Sequence, residues 1–195
     1  MHFANSLIEN GNPGCGYAIY ILLTDYPDRV SKSLRRLGFW RYSHVSISTS
    51  LIESDFYSYV GKKGFRTEQP EKHPTFRGLP VRCALYAIPV TKEICEKATK
   101  QIALHAAVAG TYRYSYFGLA LAYLDIKHRL KRQRTCTSFV SEMLHSSGAI
   151  TKKLFRRLIS PENFRKKFAS NLIYKGTIKD MLIKGRRPDG GGEMT

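Results

Sequence analysis

The chain has 195 residues, enough for one well-buried domain and short for two. Hydrophobic residues make up 43% and aromatics 12%, which excludes a disordered polymer. Lys and Arg number 32 against 15 Asp and Glu, a formal net charge of +17 that attracts nucleic acid, anionic lipid or an anionic polymer without choosing among them.

The four cysteines, Cys15, Cys83, Cys95 and Cys136, show no CxxC pair and no metal-ligand spacing with histidine. No zinc site, other metal or cofactor is expected, and the pattern does not suit a disulfide framework. A reducing compartment is expected. The apolar stretch from Gly16 to Leu23 is too short to span a bilayer and lacks the basic start and cleavage site of a signal peptide. The chain is therefore expected to be cytoplasmic or otherwise soluble.

In chain order, Tyr17 to Leu23 is a continuous apolar run of strand length. Asp28 to Leu37 carries Val30, Leu34 and Leu37 at helical spacing, with Gly38 as its stop. Arg41 to Ser48 alternates and predicts a strand, Ile52 to Val60 predicts another, and the basic, glycine-containing stretch from Gly61 to Pro80 reads as a long loop. Val81 to Val90 predicts a strand. Thr91 then caps a helix carrying Ile94, Ala98, Ile102 and Ala106. An aromatic cluster, Tyr112, Tyr114, Tyr116 and Phe117, leads into Leu119 to Ile126. It reads as core before it reads as a substrate platform.

The basic run Lys127 to Arg134 follows, either a solvated loop or a cationic lip that gathers anionic substrate or membrane. A strong helix is predicted from Thr135 to about Ser146, closed near Gly148. Ser160-Pro161-Glu162 starts another, with Phe164 and Phe168 on one face, and Ile173 to Ile178 predicts a last strand. There is no internal repeat. The mixture is α+β, one domain over 1–184, with a glycine-rich tail over 185–195 expected to be flexible.

Two residues invite chemistry. Phe139, Val140, Met143 and Leu144 mark one helical face, which places Cys136 in the first turn after Thr135. There, unpaired backbone N–H groups and the helix dipole stabilise a thiolate and can bind an oxyanion. The competing reading is a small buried cysteine. His44 lies on a strand where Val45 and Ile47 share one face and Tyr42, His44, Ser46 and Ser48 the other. It is expected to face a polar cleft or solvent, as a general base must be reachable. The competing reading is a surface histidine. His73, His105, His128 and His145 are weaker candidates.

The landmarks run in a telling order: Tyr-Ser-His-Val-Ser-Ile at 42–47, Tyr-Ser-Tyr at 57–59 before Gly-Phe at 64–65, and Tyr-Arg-Tyr at 112–114. Then come Cys-Thr-Ser-Phe-Val-Ser-Glu-Met-Leu at 136–144, Ser-Pro-Glu-Asn-Phe at 160–164 and Tyr-Lys-Gly at 174–176. From about Tyr17 to Leu182 the chain resembles the circularly permuted papain-like cysteine hydrolases, related to NlpC-type cell-wall amidases and lecithin–retinol acyltransferases. In that group the histidine strand precedes the cysteine helix.

The resemblance implies an antiparallel sheet packed against helices, with Cys136 as nucleophile and His44 as base. It also implies a polar third residue that holds the histidine. Strand parity offers Glu53 and Asp55 with an even-numbered loop, or Ser54 and Ser58 with an odd one; chemistry favours a carboxylate, the motif alignment favours Ser58, and the third residue stays unassigned. The implied activity is that of an amidase or peptidase, with peptide, amide or acyl-lipid substrates. Acyl transfer to an amine or alcohol is the alternative. A catalytically silent basic module for nucleic acid ranks last, since the aromatics are not interleaved with the basic run.

Overall fold

The computed structural model describes residues 16–25, 40–51, 55–70, 72, 80–123, 126 and 132–186. Ala18–Thr24 forms strand β1, and it is apolar throughout because it lies between two other strands with both faces covered. His44–Ser48 (β2) pairs antiparallel with it, Ile21 opposite Ile47 and Leu23 opposite Val45. Phe56–Val60 (β3) and Gly64–Glu68 (β4) extend the sheet beyond β2. On the other side of β1, Arg82–Pro89 (β5) also runs antiparallel.

Lys92–Ala107 (α1) follows, with Thr91 accepting from the Ile94 N–H as the expected cap. Its buried stripe is Cys95, Ala98, Ile102 and His105, so a histidine takes the place expected for Ala106. Arg113–Tyr114 (β6) and Gln133–Arg134 (β7) make a short parallel ribbon around Tyr116–Tyr123 (α2). The ribbon feeds directly into Cys136–Ser147 (α3), which ends at Gly148. Two short helices, Lys152–Phe155 (α4) and Pro161–Lys167 (α5), lead to Leu172–Thr177 (β8), which pairs with β5. Ile178–Arg186 (α6) completes the described chain.

The sheet order is β4-β3-β2-β1-β5-β8, every pairing antiparallel. One face carries Ile19, Ile21, Leu23, Val45, Ile47 and Tyr59 against α1 and α3. The other carries Tyr20, Leu22, Cys83 and Leu85 against Tyr174, Ile178 and Met181. The α+β reading holds, and three of its details change. Strand β2 begins at His44 rather than Arg41. The expected loop after Gly61 contains β4, because Gly61 and Gly64, at φ 39° and 69°, turn the chain back on itself. Helix α6 runs on to Arg186, past the expected domain end at 184. The helix expected over 28–37, the basic residues 127–131 and the tail from 187 lie outside the described residues. Among the described residues, no helix is long and apolar enough to cross a membrane.

Candidate active site

Cys136 is the first residue of α3, as its sequence setting predicts. A reciprocal capping box fixes the helix start. The Thr135 hydroxyl accepts from the Ser138 N–H at 3.1 Å, and the Ser138 hydroxyl accepts from the Thr135 N–H at 2.8 Å. The box satisfies Ser138 and leaves the Cys136 and Thr137 N–H groups with no carbonyl inside the helix. Phe139, Val140, Met143 and Leu144 are buried on the sheet side and set the helix's rotation. An ion pair adds to this, with the buried Arg134 guanidinium 3.1 Å from the half-buried Glu142 carboxylate and 4.6 Å from the centre of the Tyr112 ring. Arg134 is thus the end of the predicted basic run that turns inward.

His44 opens β2, beneath that helix start. Its side chain hydrogen-bonds the Cys136 side chain, and its Nε2 lies 3.0 and 3.1 Å from the two Glu68 carboxylate oxygens. Glu68 ends β4, two strands away, and reaches across β3. Ser58 on that intervening strand is small, and its hydroxyl is turned to the Val45 carbonyl at 2.7 Å, so it leaves the path open.

The three side chains are all buried: Cys136 is 2% exposed, His44 5% and Glu68 2%. This corrects the expectation that His44 faces a polar cleft or solvent. Strand β2 does alternate chemically, but the sheet is covered on both sides, so its polar face is enclosed rather than wet. Burial by itself would push the His44 imidazolium towards losing its proton. The Glu68 charge, hydrogen bonds to Cys136 and Glu68, and the charge of Cys136 overcome that and hold the pKa up at about 10.

Glu68 stands beside His44 where a third residue would, and it is none of the four that strand parity offers. Ser58 bonds a backbone carbonyl, and Asp55 accepts from the Gln69 side-chain amide at 2.6 Å. Glu53 and Ser54 lie outside the described residues. The acid was missed because parity was counted on the adjacent strand, whereas it comes from the next one. The local signal is slight: Phe65 is the one apolar residue between Gly64 and Pro70, too little to mark a strand.

Cys15 lies outside the described residues. Burial, then Asp180, pushes the Cys83 thiol up to about 12, and burial, then Glu96, raises that of Cys95. His145 stacks on Phe155, 4.6 Å between ring centres, at the far end of α3. His105 is buried and bonds the Tyr59 hydroxyl at 2.8 Å. Among the described residues no three His, Cys, Asp or Glu side chains gather as a metal site would require.

Two hollows flank the β6–β7 ribbon. One is a recess of about 40 Å³ at the helix start, edged by Ser115, Thr135, Thr137 and Ser141. The other is a cleft of about 510 Å³ between the β3–β4 turn and the three tyrosines. Chemically, the cluster offers a sulfur nucleophile at a helix start, a proton carrier beside it and a carboxylate behind the carrier. No family model, curated protein or solved structure matches the chain.

Proposed function

We propose that Cys136, His44 and Glu68 form the acyl-transfer centre of a cysteine amidase or peptidase with the chain order of permuted papain-like hydrolases. The observation that carries the reading is His44 held between a carboxylate and the thiol at a helix start. An imidazole that keeps its proton up to about pH 10 puts a positive charge beside the attacking sulfur and carries the proton that a leaving group needs.

The sulfur attacks the substrate carbonyl, forming a C–S bond, and the oxyanion points to the Cys136 and Thr137 N–H groups. His44 gives its proton to the departing nitrogen as the C–N bond breaks. Water then attacks the thioester, passing a proton back to His44, and the carboxylic acid leaves as sulfur regains its place. Glu68 fixes the ring and balances its charge throughout. Because Cys136 is 2% exposed, a carbonyl reaches the sulfur only after the covering side chains move.

The same burial favours acyl transfer as the second reading. A thioester sheltered from bulk water persists until an amine or alcohol arrives. Incubation with acyl donors followed by intact mass measurement tests both. The acyl increment is expected on Cys136 and absent from Cys136→Ser, and its loss is expected to accelerate with an added amine if transfer prevails. No increment with any donor class, amide, ester or thioester, would overturn the proposal.

A further inference from the structure

The cleft of about 510 Å³ is of a size that holds a small organic ligand, and it is built rather than incidental. Tyr112 is fixed from behind, stacked on His105 at 5.0 Å and under the Arg134 guanidinium. Tyr114 and Tyr116 meet edge to face at 5.1 Å. Gly61 on the opposite wall comes so close that a Cβ there would lie 3.4 Å from the Tyr116 hydroxyl. Among the described residues, the cleft's charged side chains are Lys63 and Arg113, both exposed, and no carboxylate lines it.

The cleft is linked to the Cys136 centre through the chain, although Cys136, His44 and Glu68 are not among its lining residues. Tyr114 pairs with Arg134, two residues before Cys136, and Gly61 follows the strand whose Ser58 bonds Val45, the neighbour of His44.

We infer that this cleft binds a small ligand bearing an anionic group, carboxylate or phosphate, with a flat or apolar stem. The anion lies between Lys63 and Arg113, and the stem runs along the tyrosine rings. Tyrosine faces accept apolar and aromatic surface, and two cations with no acid beside them among the described residues select the charge. Taken as the approach to Cys136, the cleft assigns an anionic acyl donor to the centre. Only that last step rests on the proposed function.

Microcalorimetry separates the two, using 2-naphthoate and 2-naphthamide on the Cys136→Ser protein, where no turnover intervenes. The carboxylate is expected to bind about tenfold tighter than the amide, and less so in high salt. Lys63→Ala/Arg113→Ala is expected to abolish that preference with unfolding temperature unchanged, since both side chains are exposed. Tyr116→Ala is expected to weaken both ligands alike. 2-Naphthyl phosphate tells phosphate from carboxylate selectivity. Equal binding of charged and neutral ligands, or a preference that survives the double variant, would overturn the inference. Failure to acylate Cys136 would overturn the proposed function alone.

Discussion

His44 and His105 are both buried beneath the same helix, one beside its first residue and the other against Phe139, one turn on, at 4.9 Å. Their surroundings drive them in opposite directions. His105 is pushed down, by burial first and by Arg134 second, and its Nε2 meets a tyrosine hydroxyl. That is a neutral ring used as packing. His44 suffers the stronger burial, yet the Glu68 carboxylate and Cys136 raise it to about 10. Burial alone keeps a histidine neutral; burial beside a carboxylate and a thiol keeps one charged.

That contrast can be broken most sharply at Cys136. On the proposed reading, Cys136→Ser is expected to lower turnover of an acyl substrate by about 10⁴-fold or more, as loss of a nucleophile does in enzymes of known mechanism. Because Cys136 packs within the main core cluster, the same change is expected to cost some stability as well. Steady-state rates and thermal unfolding on one preparation read both. Glu68→Gln should follow, with turnover reduced by about 100-fold or more and His44 losing its proton at far lower pH. Glu68→Ala opens one side of a buried ion pair and is expected to cost about 3 kcal/mol in chemical denaturation.

The pH profile of stability sharpens the contrast further, because the two histidines pull opposite ways. A folded-state pKa raised from 6.5 to about 10 means the His44 contribution is complete below pH 6.5 and fades as pH rises through 10. A folded-state pKa below 6.5 means His105 costs nothing above that value. It destabilises the fold as pH falls and the unfolded chain takes up the proton first. Denaturant midpoints from pH 5 to 10.5 are expected to lose their alkaline slope in Glu68→Gln and their acid slope in His105→Phe. The smallest effect belongs to Tyr59→Phe, which removes one buried hydrogen bond from His105. It should cost about 1 kcal/mol and leave turnover unchanged.

Much of this arrangement was legible in the residues, for identifiable reasons. Cys136 at a helix start followed from a capping residue and four apolar positions at helical spacing, which are local signals. The β1 and β5 strands were readable because each is a compact run of strand-forming residues. The enclosure of His44 was not readable, because alternation reports which side chains share a face and not what covers that face. Glu68 was hidden by Gly61 and Gly64, which look like loop residues and in fact make the turn that builds β4. The Tyr112 cluster divided between roles, since Tyr112 is held against His105 while Tyr116 stays 48% exposed. Its preceding basic run divided too, with Arg134 buried against Glu142.

The central claim is that His44, unlike His105, is held charged between Glu68 and Cys136. Long-range ¹H–¹⁵N spectra of the histidine rings between pH 5 and 11 test it in one titration, with His44→Gln and His105→Phe assigning the signals. The account predicts an imidazolium at His44 that persists to about pH 10 and a His105 ring still neutral below pH 6.5. A His44 ring that is neutral at pH 7 and titrates alongside His105 would contradict it.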